Sequence, residues 1–504
     1  MFDHTTANIR TNTGINAEFA RKLEKDVDRA AYQLREETAR RKARELRGKS
    51  CREVLSDLLS QIVRVDFRER AGLDDDARLA RKTFVVVAVS EIIGKATSND
   101  WGLCMRNGFT YLYNGRYWQA LDIDTLKVFL AEAAVKMGVP EMEANYYQFR
   151  DELYKQFSAM ANMPTPEPGE GVTLINLRNG TFEISDQGPK LREYRREDFL
   201  KYQLPFDYDP SARCPMFDRY LQRVLPDESC RKVLSEYLGY VFTTHLKLEK
   251  VAILYGSGAN GKSVFFDIVQ ALIGKDNICT YSLQNLTSPT SYERASLANK
   301  LLNYATEING RLEASIFKQL ASGEPVAARQ IYGQPFIMER YAKLLFNCNE
   351  LPRDVENTNA FFRRFLIIPF TQTIPESEQD PQLSRKIIAS ELSGIFNWML
   401  DGLHRLLQNG RFTAADAVIR QVEEFRKESD SVAMFLGDEG YSPHPTGFVR
   451  LKSLYQEYQT YCSDNGYAPC SLRTVSSRLK NAGYTVGRKN QGSVVYIEKT
   501  AFEY

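Results

Sequence analysis

Three observations predict an α/β chain built on a mostly parallel sheet. An unbroken apolar run, Val251–Tyr255, leads at once into the glycine-rich stretch GSGANGKS and then into a helical pattern, Val264–Ile273. Further apolar runs of strand length follow at Leu301–Ala305, Ala342–Asn347 and Phe365–Pro369, with helical patterns between them. Runs without polar alternation suit strands covered on both faces, as parallel sheets are.

The remaining elements are placed around that core. Residues 1–83 read as a helical, charged region: Ala17–Arg47 contains neither Pro nor Gly, and RRKAR (Arg40–Arg44) is its densest basic run. The first 82 residues hold 19 basic and 15 acidic side chains, so a solvated helical face is the expected form. Residues 84–225 read as one α+β module. FTYLYNGRYWQAL (Phe109–Leu121) alternates around Asn114-Gly115, a hairpin signal; Ile123–Met137 carries an apolar helical face; PTPEPGEG is a loop; and VTLINLRNGTFEI (Val172–Ile184) turns again at Asn-Gly.

The core spans 226–415, opened by a helix over Cys230–Thr243. Residues 416–446 form a helical linker (Asp416–Leu436) that ends in the break SPHPTG. The terminal unit, 447–504, reads helix (Leu451–Asn465), helix (Ser471–Ala482), then a ribbon, TVGRKNQGSVVYI, with a Lys-Asn-Gln-Gly tip. It holds 8 basic and 4 acidic residues, so positive charge gathers locally there.

Composition excludes several classes. A chain of 504 residues exceeds what one core fills. An apolar fraction of 43%, with 27 Tyr and 28 Phe, excludes a disordered chain, and a formal charge of +2 excludes a polyelectrolyte. The longest apolar run, Phe84–Val89, is far short of the ~20 residues that cross a bilayer, and MFDHTTANIRTNTG has no apolar signal region. An intracellular protein without membrane contact is expected. The eight cysteines form no C-x-x-C pair and none of the four histidines stands at zinc spacing from them, so free thiols are expected rather than structural zinc.

The chemistry concentrates in the core. Gly256-Ser257-Gly258-Ala259-Asn260-Gly261-Lys262-Ser263, with Val264 opening the helix, matches the phosphate-loop pattern in full, between a strand and a helix. Glycines let successive N–H groups face one anion, and the helix N-terminus adds its dipole. Lys262 would reach the β and γ phosphates of a nucleotide, and the Ser263 hydroxyl would hold Mg²⁺. A carboxylate is needed at a neighbouring strand end to orient metal or water; Glu307, 45 residues after Lys262 in LLNYATEIN, is the candidate. In LLFNCNELP the polar strand end offers an amide for the γ-phosphate or the attacking water, and in FFRRF either Arg363 or Arg364 can serve a neighbouring subunit's γ-phosphate.

The ordered series GSGANGKS, TEIN, KQLASGEPVAARQIYGQPF, LLFNCNELP and FFRRFLIIPF resembles the superfamily 3 helicases. It is most similar to the phage and plasmid primase-helicase branch that includes the poxvirus primase-helicase. INLRNGTFEI, YLGYVFTTH and FRKESDSVAMFL extend the resemblance over roughly residues 85–504. The resemblance implies an AAA+-like P-loop core followed by a winged helix, with ATP and Mg²⁺ as cofactors. Glu307 falls on the Walker B position and Asn349 on the motif C asparagine. Lys318–Phe336 falls on a β-hairpin that projects into the ring channel, with Lys318 and Arg329 as basic positions and Tyr332 at a tip that lacks lysine. Arg473, Arg478 and Lys480, with Arg488 and Lys489 on the ribbon, are the implied duplex contacts.

Family members form hexameric rings that move along single-stranded DNA. The resemblance therefore implies an ATP-driven helicase or replication initiator of a phage, satellite or plasmid, acting on single-stranded and forked DNA in a bacterial host cytoplasm, with a primase or other replication proteins as partners. A nucleotide-gated origin-binding ring with little unwinding of its own is the alternative, favoured by the hairpin tip. Relatives that make primers need paired aspartates and a histidine. Asp122-Ile123-Asp124 is present, yet no histidine lies between His4 and His245, so a helicase-only version is expected.

Overall fold

The computed structural model describes residues 48–163, 171–306, 308, 312–331, 333–352, 355–490 and 492–499. The stretch Ala17–Arg47, including RRKAR, and most of PTPEPGEG lie outside the described residues. The described chain forms two compact units: 48–163 with Tyr194–Lys201, and 171–193 with 202–499.

In the first unit, helix Arg81–Ser98 runs across the boundary expected at 83/84. Val85, Ala88, Val89, Ile92 and Ala96 recur at helical spacing and are all buried, so the segment cannot be divided there. Helix Ile123–Met137 has the expected bounds. Asp122 caps it, accepting from the Thr125 N–H at 2.9 Å, and Gly138 ends it at φ 113°. The Asp122-Ile123-Asp124 pair is thus a helix start.

A three-stranded antiparallel sheet, Gly102–Arg106, Phe109–Tyr113 and Trp118–Leu121, completes the unit. Its two-residue turn is Asn107-Gly108, with φ of 49° and 77°, between paired Arg106 and Phe109. At Asn114-Gly115 the loop is longer, because Tyr113 pairs with Trp118. The Asn114 side-chain oxygen accepts from the Arg116 and Tyr117 N–H groups at 3.1 and 3.0 Å. Residues 194–201 return to this unit: the Trp118 indole N–H donates to the Arg196 carbonyl at 2.9 Å, and Phe199 packs on Tyr111 and Trp118.

The second unit takes the other hairpin, so the span expected as one module, 84–225, contributes to both compact units. Strands Thr173–Leu177, Gly180–Ser185 and Gly188–Arg192 form an antiparallel sheet. Phe182 from it and Phe206 both pack on Phe396 of the long helix Leu383–Asn409. At the centre lie five strands: β1 (Val251–Tyr255), β2 (Ile278–Cys279), β3 (Leu302–Ala305), β4 (Lys343–Cys348) and β5 (Phe365–Pro369). Their order is β5-β1-β4-β3-β2, and every neighbouring pair is parallel. Consecutive residues along β1, β3, β4 and β5 are buried, so both faces are covered. Helix Glu228–Tyr240 lies so close to Leu383–Asn409 that a Cβ on Gly239 would sit 2.6 Å from that of Leu403.

The expected linker is not free. Helix Asp416–Glu428 packs Phe425 edge-on against Phe362 and Phe365, at 5.2 and 5.6 Å between ring centres. Helix Ser431–Asp438 belongs to the terminal unit, where Phe435 packs against Tyr441, Tyr458 and Tyr461. Part of the Pro-rich break is a strand, Tyr441–Pro443, paired with Ile497–Lys499. Pro443 is tolerated at its end, on an edge. Helices Leu451–Asp464 and Leu472–Asn481 precede the ribbon Val486–Lys489 and Gly492–Val495, to which Val449–Arg450 adds a third strand.

Candidate nucleotide-binding site

The loop Gly256–Gly261 links β1 to helix Lys262–Ile273. A Cβ on Gly256 would lie 2.3 Å from the Phe370 carbonyl oxygen, so only glycine fits there. Gly258, Ala259 and Gly261 take φ of 114°, 47° and 86°, and positive-φ residues of this kind are what anion-binding main-chain nests are built from. The loop is held from three sides. Asn260 donates its side-chain N–H to the Phe370 carbonyl at 2.9 Å, Ile374 N–H donates to the Ala259 carbonyl at 2.8 Å, and the Tyr220 hydroxyl donates to the Gly261 carbonyl at 2.8 Å.

Lys262 is buried and folded over this loop, its Nζ donating to the Gly256 carbonyl at 2.6 Å and to Asn260 Oδ1 at 3.0 Å. Desolvation pulls its pKa below the usual 10.5. Among the described residues its hydrogen-bond partners are carbonyl oxygens, which compensate a buried ammonium poorly and leave it suited to an added anion. Cys348, within electrostatic reach of it, is pushed up to about 11 by burial. Ser257, Ala259 and Ser263 are exposed and Val264 is half-buried. Among the described residues no group of three or more His, Cys, Asp or Glu could hold a metal. A Ser263 hydroxyl beside the glycine-rich loop is a donor that fits Mg²⁺, which takes few protein ligands and shares phosphate oxygens where a nucleotide is bound.

The parallel register decides which candidates gather. Cys348 pairs with Tyr255 and Phe346 with Ala305, so the ends of β1, β3 and β4 share one edge. Asn349 emerges there, exposed, beside the loop. Asn347, one residue inside, is buried and accepts from the Tyr304 hydroxyl at 2.8 Å. Glu307 lies outside the described residues, although β3 delivers the chain to this edge. Arg363 and Arg364 enter β5 at the opposite edge, with Phe365 level with Val251. A five-residue strand separates them from the loop, roughly 16 Å. They are not brought to the glycine-rich loop of the same chain.

The candidates for DNA contact divide as well. Lys318 is not on a hairpin: it lies on helix Ala314–Ser322 and pairs with Glu356 at 3.0 Å. The hairpin is Val326–Arg329 with Pro335–Met338, and Tyr332 at its turn lies outside the described residues. Arg329 is exposed and donates to the Gly333 carbonyl at 3.1 Å. The outer face is largely apolar, with Ile337 54% and Ile331 67% exposed. In the terminal unit, Arg478 binds Asp430 at 3.0 Å, and Asp430 in turn caps helix Ser431–Asp438. Lys489 rests over the Phe448 ring at 3.6 Å. Arg473, Lys480 and Arg488 are exposed.

Two residues of consequence carry no sequence signal. Tyr220 stands 41 residues before Gly261 and belongs to no motif. Glu249, bound to both arginines, is an ordinary acid in a charged stretch. Only the folded register reveals either.

Residues 90–226 match the family described as D5 N terminal like, and residues 254–364 match a family of unknown function, DUF5906. Helicase-named viral proteins align with the chain. L207/L206 of Acanthamoeba polyphaga mimivirus is 22% identical over 71% of this chain and 40% of its own length. Protein 121R of Invertebrate iridescent virus 3 is 24% identical over 53% of this chain and 32% of its own. The chain thus spans less than half of these relatives. The apo NrS-1 C terminal region aligns with 82% of this chain and 99% of that one, at a TM-score of 0.45 and 12% identity. The D5 N terminal like match and these helicase-named viral relatives support a likeness to the phage and viral primase-helicases.

Proposed function

We propose that this protein is an ATP-dependent DNA helicase and replication initiator of the superfamily 3 type, from a phage, satellite or plasmid, with an AAA+-like core that hydrolyses ATP between the subunits of a ring. The observation that carries the reading is the buried Lys262, folded over a glycine-rich loop that takes positive φ at Gly258, Ala259 and Gly261. Lys262 and the loop would hold the phosphates, Ser263 and Glu307 the Mg²⁺, and Asn349 the γ-phosphate end. An arginine at the far edge of the sheet suits a role on the next subunit's nucleotide, because it is too distant from its own. The hairpin after helix Ala314–Ser322 would contact single-stranded DNA, and the terminal helices and ribbon, as a winged helix, would contact duplex through Arg473, Lys480 and Arg488.

A second reading, a nucleotide-gated ring that grips an origin and recruits a primase or other partners, draws on the hairpin. Its exposed face is largely apolar, with Arg329 as its basic residue among those described, and Lys318 is absent from it. Unwinding of a forked duplex, measured beside the Lys262→Ala variant, separates the two. ATP-dependent strand separation that is lost in Lys262→Ala supports the helicase. DNA binding that responds to nucleotide, without separation, supports the gated ring.

A further inference from the structure

The edge of the sheet opposite the phosphate loop carries an organised charge cluster. Val251 N–H donates to the Arg364 carbonyl at 2.8 Å, so the residues that lead into β1 and β5 meet there. Glu249 stands at that point with φ 56°, a left-handed conformation that non-glycine residues seldom adopt. Its carboxylate binds Arg363 and also Arg364, the latter at 3.2 Å. Lys250 adds a third cation and donates to the Arg363 carbonyl. The next carboxylate, Glu356, is shared with Lys318 and the Thr358 hydroxyl. Among the described residues, Lys250, Lys318, Arg363 and Arg364 therefore stand against Glu249 and Glu356, four cations to two carboxylates.

The two arginines differ in freedom. Arg364 is buried, with 9% of its side chain exposed, and its guanidinium is fixed to Ser322 Oγ at 3.0 Å and to the Ala360 carbonyl. Arg363 has 49% of its side chain exposed and is steered by Glu249. An exposed guanidinium on a shared carboxylate can exchange that partner for an incoming phosphate, whereas a buried one bonded to main chain cannot.

We infer that Arg363 is the arginine presented to the nucleotide of a second copy of this chain, and that Glu249 is the residue that positions it, while Arg364 braces the edge from within. The inference rests on the ring reading above and assigns Glu249 a role that reading does not contain. Arginines acting in trans are worth 10³–10⁵ in turnover, and a misplacement of about 1 Å can cost about 100-fold.

Subunit mixing of the full chain tests it. Lys262→Ala subunits cannot use nucleotide but still present Arg363; Arg363→Ala subunits do the reverse. Recovery of ATP turnover when these two are mixed tests the ring reading itself. Glu249→Gln alone should turn over ATP at least about tenfold slower, with KM for ATP within about twofold. It should recover with Lys262→Ala partners, which supply a correctly held arginine, and not with Arg363→Ala partners. If Glu249→Gln does not fold, Glu249→Asp, with the charge on a shorter arm, takes its place with the same pattern expected.

An unchanged kcat, or no rescue by Lys262→Ala partners in a system where Arg363→Ala is rescued, overturns the inference and leaves the ring reading standing. No recovery in the Lys262→Ala and Arg363→Ala mixture overturns the ring reading, and the inference with it.

Discussion

The Tyr220 hydroxyl donates to the main-chain carbonyl of Gly261 at 2.8 Å, tying helix Pro215–Val224 to the last turn of the glycine-rich loop. Glu391 in turn accepts from the Met216 and Phe217 N–H groups at 2.9 and 2.8 Å, fixing the start of that helix to Leu383–Asn409. The loop's shape is thus set by a segment that precedes the core in sequence. Tyr220→Phe removes one buried hydrogen bond, a loss of about 0.5–1.5 kcal/mol. Nucleotide affinity should fall by less than about tenfold, since 1.4 kcal/mol is a factor of ten. Titration with a fluorescent ATP analogue checks this.

Glycine substitutions in the loop should rank by space. Gly258 and Gly261 both have positive φ, so alanine is strained at either. At Gly258 an added Cβ meets nothing within 4 Å, whereas at Gly261 it would lie 2.6 Å from Val224 Cγ1. Gly261→Ala should therefore cost stability beyond Gly258→Ala by about 1–3 kcal/mol, the usual penalty of overpacking. Urea denaturation of both variants gives the difference.

Lys262 makes stability depend on pH in a definite direction. Its pKa is lowered in the folded chain, so the unfolded chain binds more protons between that value and the usual 10.5. Burial of the ammonium therefore penalises the fold at neutral pH, and the penalty fades as pH rises toward 10.5. Relative to Lys262→Met, the wild-type chain should gain stability over that rise. Parallel unfolding curves at pH 7 and near 10 test it, and a constant difference counts against a desolvated Lys262.

Phe425 should matter to the core although it lies beyond it in sequence. It is 1% exposed and packs against Phe362 and Phe365. Phe425→Ala should destabilise the chain by about 3–5 kcal/mol. Denaturant unfolding followed by tryptophan fluorescence measures this, and a near-neutral result would make the helix the tether that its sequence suggests.

The basic candidates should separate by engagement. Arg329 is exposed, whereas Lys318 is spent on Glu356. Arg329→Ala should lower the salt dependence of single-stranded DNA binding by about one phosphate contact, and Lys318→Ala should leave it unchanged. Binding isotherms at several salt concentrations decide it.

What was legible in the sequence is what local patterns determine. Val251–Tyr255 and Phe365–Pro369 are unbroken apolar runs whose strand bounds hold, and Asp122 and Gly138 mark both ends of their helix. The edge shared by the loop and Asn349 follows from strands in parallel register. Long-range choices were not legible. Lys318 sits in a stretch that resembles a hairpin motif, yet Phe317 and Leu320 bury on a helical face and carry Lys318 with them. The strand Tyr441–Pro443 exists only because Ile497–Lys499 returns to pair with it, and no local pattern announces such a partner. The placement of Glu249 beside both arginines depends on the same kind of pairing, between β1 and β5.

The most direct measurement is the rate of ATP hydrolysis with and without single-stranded DNA, for the wild-type chain and Lys262→Ala. The account predicts strong stimulation by DNA in the wild type and none in the variant. Hydrolysis that is lost in Lys262→Ala but indifferent to DNA would contradict the motor, and would leave an ATPase that acts on some other partner.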